Sequence, residues 1–190
     1  MDERIGAVLR HWDDLGPEGW YRGTAEIDAA IRARFEPLWQ EARRTGLPGW
    51  DTTAEGALAR LLVLDQFPRN MFRDRPESFA TDAAALQAAT HAIAQGQDLE
   101  IGPPLRQFFY LPLMHAEDLM AQTHCLVLFE ERMPGENERH ARAHRDVIAR
   151  FGRFPWRNAA LRRPSTAEEI AFLEAGGYAH ALEAIAPLQR

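Results

Sequence analysis

Apolar side chains recur at intervals of three and four residues along most of the chain, and no stretch sustains the every-second-residue alternation of a half-buried strand. The pattern predicts an all-α fold. Its clearest instance is Ile27, Ile31, Phe35, Leu38 and Trp39, one stripe of a helix expected from about Thr24 to Arg44 and stopped by Thr45-Gly46-Leu47-Pro48-Gly49, with Pro37 a candidate kink. A shorter helix is expected before it, from Glu3 to His11, ahead of the turn Gly16-Pro17-Glu18-Gly19. Thr52 with Glu55 reads as a capping box that opens a third helix through Leu58, Leu61 and Leu62. Pro68 is expected to end that helix, because the residue before a proline avoids the helical region.

Further along, an alanine-rich helix is expected from Thr81-Asp82 to the breakers Gln95-Gly96-Gln97. An apolar segment then runs from Leu105 to Arg132, interrupted or restarted at Pro112, and Met133-Pro134-Gly135 closes it. The next helix spans Glu136 to Phe151. Ser165 with Glu168, or Thr166 with Glu169, caps another, and a last short helix follows Gly176-Gly177. Phe67-Pro68-Arg69-Asn70 and Phe154-Pro155-Trp156-Arg157-Asn158 each follow an apolar helix and precede a newly capped one, as two diverged units of a helical repeat would.

Composition narrows the chemistry more than the fold. At 190 residues and 46% hydrophobic content the chain suits a single domain with a real core. The longest apolar runs, Leu61 to Leu64 and Cys125 to Phe129, are far shorter than the roughly 20 residues a membrane span needs. Asp2, Glu3, Arg4 and Arg10 crowd the first dozen residues, which lack the apolar core of a secretory signal, so the expected location is the cytoplasm. All 22 basic residues are arginine. Without lysine, neither a Schiff base nor a Walker-type phosphate loop can form, and no Gly-x-Gly triplet is present for a dinucleotide. The only serines, Ser78 and Ser165, lie outside any nucleophile elbow. No cofactor is expected, and Cys125, inside the run CLVLF, reads as a small core hydrophobe.

Charge is unevenly spread. Within a chain of net charge −6, residues 139 to 163 carry eight arginines against the single acid Asp146. These arginines either pair with acidic helices elsewhere in the fold or form an anion-binding face. The overall negative charge argues against nucleic acid as the main partner, leaving weak RNA binding through 139 to 163 as an alternative.

Several polar groups extend apolar stripes. Asp65 follows Leu61 and Leu62 at helical spacing, and Arg69 stands four residues further on, a pairing that a helix end at Pro68 would disturb. His115, Asp118 and Gln122 are expected on one helical face that continues as Leu126 and Phe129, which makes His115 with Asp118 the candidate acid–base pair. His140 and His144 stand at i and i+4 and continue into Val147, Ile148 and Phe151. No His-Glu-x-x-His or Glu-x-x-His motif accompanies them, so no metal is assigned. The tract Arg150 to Asn158 mixes guanidinium and aromatic groups as carboxylate and phosphate pockets do, with Arg153, Arg157 and Asn158 as ligand candidates.

The stretches LLVLDQFPRNMFR, FFYLPLMHAEDLMAQ and HARAHRDVIARFGRFPWRNAALRRPSTAEEIAFL together resemble the bacterial family known as domain of unknown function 924, over nearly the whole chain from about Leu9 to Leu173. The resemblance implies a superhelical, tetratricopeptide-like array of about seven to nine antiparallel helices in a cytoplasmic bacterial protein, and it brings no established activity. The family pattern usually reads Phe-Pro-His-Arg-Asn where this chain has Trp156 in the third place, and tends to have serine where Ala116 stands. That departure favours a binding or structural role for the tract. The expectation is therefore a helical-repeat-like binding module in which Asp65, Arg69, His115, Asp118, Gln122, His144, Arg153, Arg157 and Asn158 surround a small anionic molecule or peptide. The alternative is an enzyme using His115 and Asp118 on an anionic substrate. Oligomeric state and ligand identity are not encoded in any motif.

Overall fold

The computed structural model describes residues 2–185, and all regular structure among them is helical. In chain order the α-helices are α1 (Glu3–Tyr21), α2 (Ala25–Thr45), α3 (Ala54–Leu61), α4 (Phe67–Met71), α5 (Asp82–Ala94), α6 (Gln97–Glu100), α7 (Gln107–Met114), α8 (Leu119–Arg132), α9 (Glu136–Phe151), α10 (Ala167–Glu174) and α11 (Tyr178–Glu183). Contacts cluster into two compact units divided between Pro112 and Leu113, inside α7. No helix is long and apolar enough to cross a membrane among the described residues.

In the first unit, the α2 stripe buries Ile31, Phe35 and Trp39, and Thr24 caps the helix by accepting from the Ile27 amide. Pro37 is accommodated inside the helix. α1 runs beyond the expected end at His11: it continues to Gly16, whose φ of 61° and ψ of 178° break the helix, and Pro17 begins a further turn. Across that break the Trp20 indole donates to the Trp12 carbonyl at 2.6 Å, within an aromatic cluster of Trp12, Trp20, Phe35, Phe67 and Phe108. The cap of α3 is Thr53, accepting from the Gly56 amide, whereas the expected cap Thr52 donates its hydroxyl to the Gly49 carbonyl.

Pro68 does not end the third helix. The chain widens into a π-turn over Leu62–Gln66, with the Phe67 amide bonded to the Leu62 carbonyl, and continues as α4 with Pro68 inside it. Proline has no N–H for the Leu64 carbonyl one turn back. The Thr81 hydroxyl donates to that carbonyl at 2.5 Å and itself accepts from the Trp39 indole at 3.1 Å. A residue distant in sequence thus satisfies the group that proline leaves unbonded.

In the second unit, α8 and α9 are joined by three residues and pack as a helical hairpin, and α11 packs on α9. The core here includes Val147, Ile148, Phe154 and Phe172. α9 has the expected bounds, and α10 is opened by the Thr166–Glu169 capping box. The two Phe-Pro segments do not repeat structurally. Phe67-Pro68 lies in a helix, whereas Pro155–Arg157 is a 3₁₀ turn following extended Phe154.

Candidate functional site

The helical apolar run breaks after Met114, two residues beyond Pro112, and resumes at Leu119. Asp118 is the N-cap of α8: its carboxylate accepts from the Ala121 amide at 2.7 Å and is exposed. His115 therefore sits in a loop and does not share a helical face with Asp118 and Gln122, contrary to the spacing argument. Gln122, fully buried one turn into α8, donates from Nε2 to the carbonyls of Met114 (2.6 Å) and Ala116 (2.7 Å). Arg157 donates from Nη2 to the intervening His115 carbonyl at 2.9 Å. Three successive carbonyls are held by two side chains, which fixes the backbone that presents the half-buried His115 imidazole.

That imidazole lies 6.5 Å, between ring centroids, from His144 on α9. His144 is enclosed by Tyr178 at 4.7 Å, Phe154 at 5.4 Å and Trp156 at 6.0 Å. Its Nδ1 lies 2.8 Å from the His140 carbonyl, which can only accept, so Nδ1 carries the proton and Nε2 is the acceptor of a neutral ring. Burial drives the His144 pKa down to about 3; the His140 carbonyl opposes this, and the charges of His115, His140 and Arg157 reinforce it. His140 is lowered as well, chiefly by burial, and its Nδ1 is hydrogen-bonded to the Tyr178 hydroxyl. Burial raises that phenol to about 12. Trp156 stacks 4.8 Å from Phe154 and meets His144 edge-on.

Beneath this cluster the arginine tract is largely committed to acids. Glu117 takes a bidentate pair from Arg163 (2.6 and 2.9 Å) and accepts the Phe154 amide at 2.8 Å. Burial alone would raise the Glu117 pKa; the Arg163 pair, the Phe154 amide and the nearby Arg157 charge hold it below the usual carboxylate range. Arg153 pairs with Glu169 at 2.6 and 2.8 Å, and this guanidinium with the Thr166 amide keeps Glu169 down at about 2. Asn158 accepts from Arg163 and donates to Ser165, each at 3.0 Å. Arg157, 7% exposed, lies with its guanidinium carbon 4.6 Å from the Phe154 ring centre. Arg142, Arg145 and Arg150 also reach acidic side chains, so of the two readings of the basic segment, internal pairing holds for most of its members.

Asp65 and Arg69 belong to the first unit. Because the chain remains helical through Pro68, their i,i+4 pair does form, at 3.1 Å, and Arg69 also reaches Asp82 at 3.0 Å and the Asp65 carbonyl at 2.6 Å. Asp65 is 1% exposed and accepts from Gln66 Nε2 at 2.6 Å. Among the described residues no group of three histidine, cysteine or acidic side chains is placed to hold a metal ion.

The family described as bacterial protein of unknown function (DUF924) matches residues 8–177. The chain belongs to this family. A solved structure of a protein of unknown function from Agrobacterium tumefaciens is 41% identical, with a TM-score of 0.88 over 92% of this chain and 98% of that one. No curated protein matches.

Within this DUF924 chain the structure adds residues that spacing alone did not single out. Glu117 lies between the candidates His115 and Asp118 in sequence, and its contacts with Arg163 and the Phe154 amide set it apart from them. Tyr178 carried no motif at all. Thr81 was legible only as a helix start, not as the partner of Leu64. Chemically, the His144 ring is a poor proton shuttle: it is oriented by a carbonyl and held neutral far below neutral pH, whereas catalytic imidazoles titrate near it. It can accept a hydrogen bond, and its aromatic surround can bury an apolar group.

Proposed function

We propose that the chain is a cytoplasmic binding module of tetratricopeptide-like design whose second unit receives a small anionic molecule or an acidic peptide at the imidazole–aromatic cluster. The observation that carries this reading is the convergence of His115, His140, His144, Trp156 and Tyr178, all half-buried, around the positive field of Arg157. Half-buried rings keep an open side for a ligand; the nearby guanidinium and imidazole N–H groups other than that of His144, which is taken by the His140 carbonyl, suit a carboxylate or phosphate, and His144 adds aromatic surface. The α8–α9 hairpin, with α11 laid on α9, is the kind of stacked helical unit such modules use. Separation of His115 from Asp118 by the cap of α8 favours binding over acid–base catalysis.

The test is imidazole nuclear magnetic resonance of the full chain titrated with acetate, inorganic phosphate and a short Asp/Glu peptide. Saturable shifts confined to His115, His140 and His144, and abolished by Trp156→Ala, are expected for at least one probe. Unmoved resonances with all three would sink the reading.

A further inference from the structure

α11 is a six-residue helix that buries no residue fully. A segment this short is not helical in water without tertiary support. Its support includes the Tyr178 ring contacts with His140, His144 and Trp156 and two polar tethers. At its start, the Tyr178 hydroxyl is hydrogen-bonded to His140 Nδ1, and its ring covers His144. At its end, Arg139 Nη2 donates to the carbonyls of Leu182 (3.4 Å) and Ile185 (3.2 Å). Between them the half-buried Ala181 leans on the core of Val147, Ile148, Phe154 and Phe172, and Leu182 is half-buried as well.

The connection to α10 is built from Gly176 and Gly177, with φ of 113° and 57°. The Gly177 amide closes α10 onto the Phe172 carbonyl at 2.9 Å, so α10 stays anchored while the chain beyond it turns in a region that side-chain-bearing residues rarely occupy. A short element with few buried apolar groups, tethered at its tips and preceded by paired glycines, is the part of a fold that opens at low free energy.

We infer that α11 is a latch: it swings about Gly176–Gly177, withdraws Tyr178 from His140 and His144, and so controls entry of a carboxylate- or phosphate-bearing ligand to the cluster. This rests on the cluster being the binding site. The latch explains why the centre of the cluster, His144, lies under the side chain that opens the least buried helix of this unit.

The test uses the full chain without ligand, following backbone amide exchange by mass spectrometry and modification of His144 by diethylpyrocarbonate. In the wild type, α11 amides should exchange well ahead of those of α9 and α10. In Tyr178→Phe and in Arg139→Gln, α11 exchange and His144 modification should both rise about fivefold, the factor for one net hydrogen bond, with a loss of global stability no larger than that factor. Exchange of α11 only together with α9 would overturn the latch, as would faster α11 exchange that leaves His144 modification unmoved. Because both readouts need no ligand, an opening α11 without probe-induced imidazole shifts refutes the binding reading alone. Saturable shifts with a rigid α11 refute the latch alone.

Discussion

Replacing Thr81 by valine keeps the shape of a fully enclosed side chain and deletes one hydroxyl. That hydroxyl donates to the Leu64 carbonyl and accepts from the Trp39 indole, and both partners are fully buried. Each buried group left without a partner costs about 1–3 kcal/mol, so Thr81→Val should lose about 3 kcal/mol. For a chain of this size that corresponds to a fall in Tm of roughly 10 °C. Urea unfolding followed by circular dichroism measures it. Pro68 supplies an internal control, because Pro68→Ala restores an N–H that can take the Leu64 carbonyl and close the π-turn into an α-helix. Thr81→Val should therefore cost about 1 kcal/mol less in the Pro68→Ala background than in the wild type. A loss below about 0.5 kcal/mol, or equal losses in both backgrounds, would refute the account of how the chain passes through Pro68.

Stability should fall between neutral pH and about pH 5.5. His144, His140 and His11 are all neutralised by burial, so the unfolded chain takes up protons that the folded one refuses, and stability present above the ordinary histidine pKa of 6.5 is lost as pH drops toward the folded value. His144 alone should contribute about 1.4 kcal/mol of that loss by pH 5.5; a chemical-denaturation series in which His144→Asn is as steep as the wild type would contradict it. Arg157→Ala strands the His115 carbonyl and removes the packing on Phe154, for an expected cost of about 1–3 kcal/mol, whereas His115→Ala should change stability by less than 1 kcal/mol while weakening probe binding; a thermal scan with the opposite ranking would reverse their roles.

Most of the helical spans were legible in the sequence, because what sets them acts within one or two turns. The α2 stripe, the Thr24 cap, the Thr166–Glu169 box and the bounds of α9 depend on apolar period and on side chains three residues from the amides they cap. The same local logic named His115, Gln122 and His144, which extend apolar stripes, and Arg157, which lies in the arginine–aromatic tract after α9. What it could not supply was partnership at long range. Pro68 lies inside a helix because Thr81 takes the Leu64 carbonyl, and no rule local to Pro68 contains Thr81. His115 is presented from a loop because Gln122 holds the carbonyls on either side of it and Arg157, from 42 residues away, holds its own. Sequence spacing left the arginines of 139–163 open to two readings, and only the folded positions of Glu117 and Glu169 decided that Arg163 and Arg153 are paired. A backbone finds its helices from neighbours along the chain, but a buried carbonyl or guanidinium must find its partner in space, and that choice belongs to the tertiary structure.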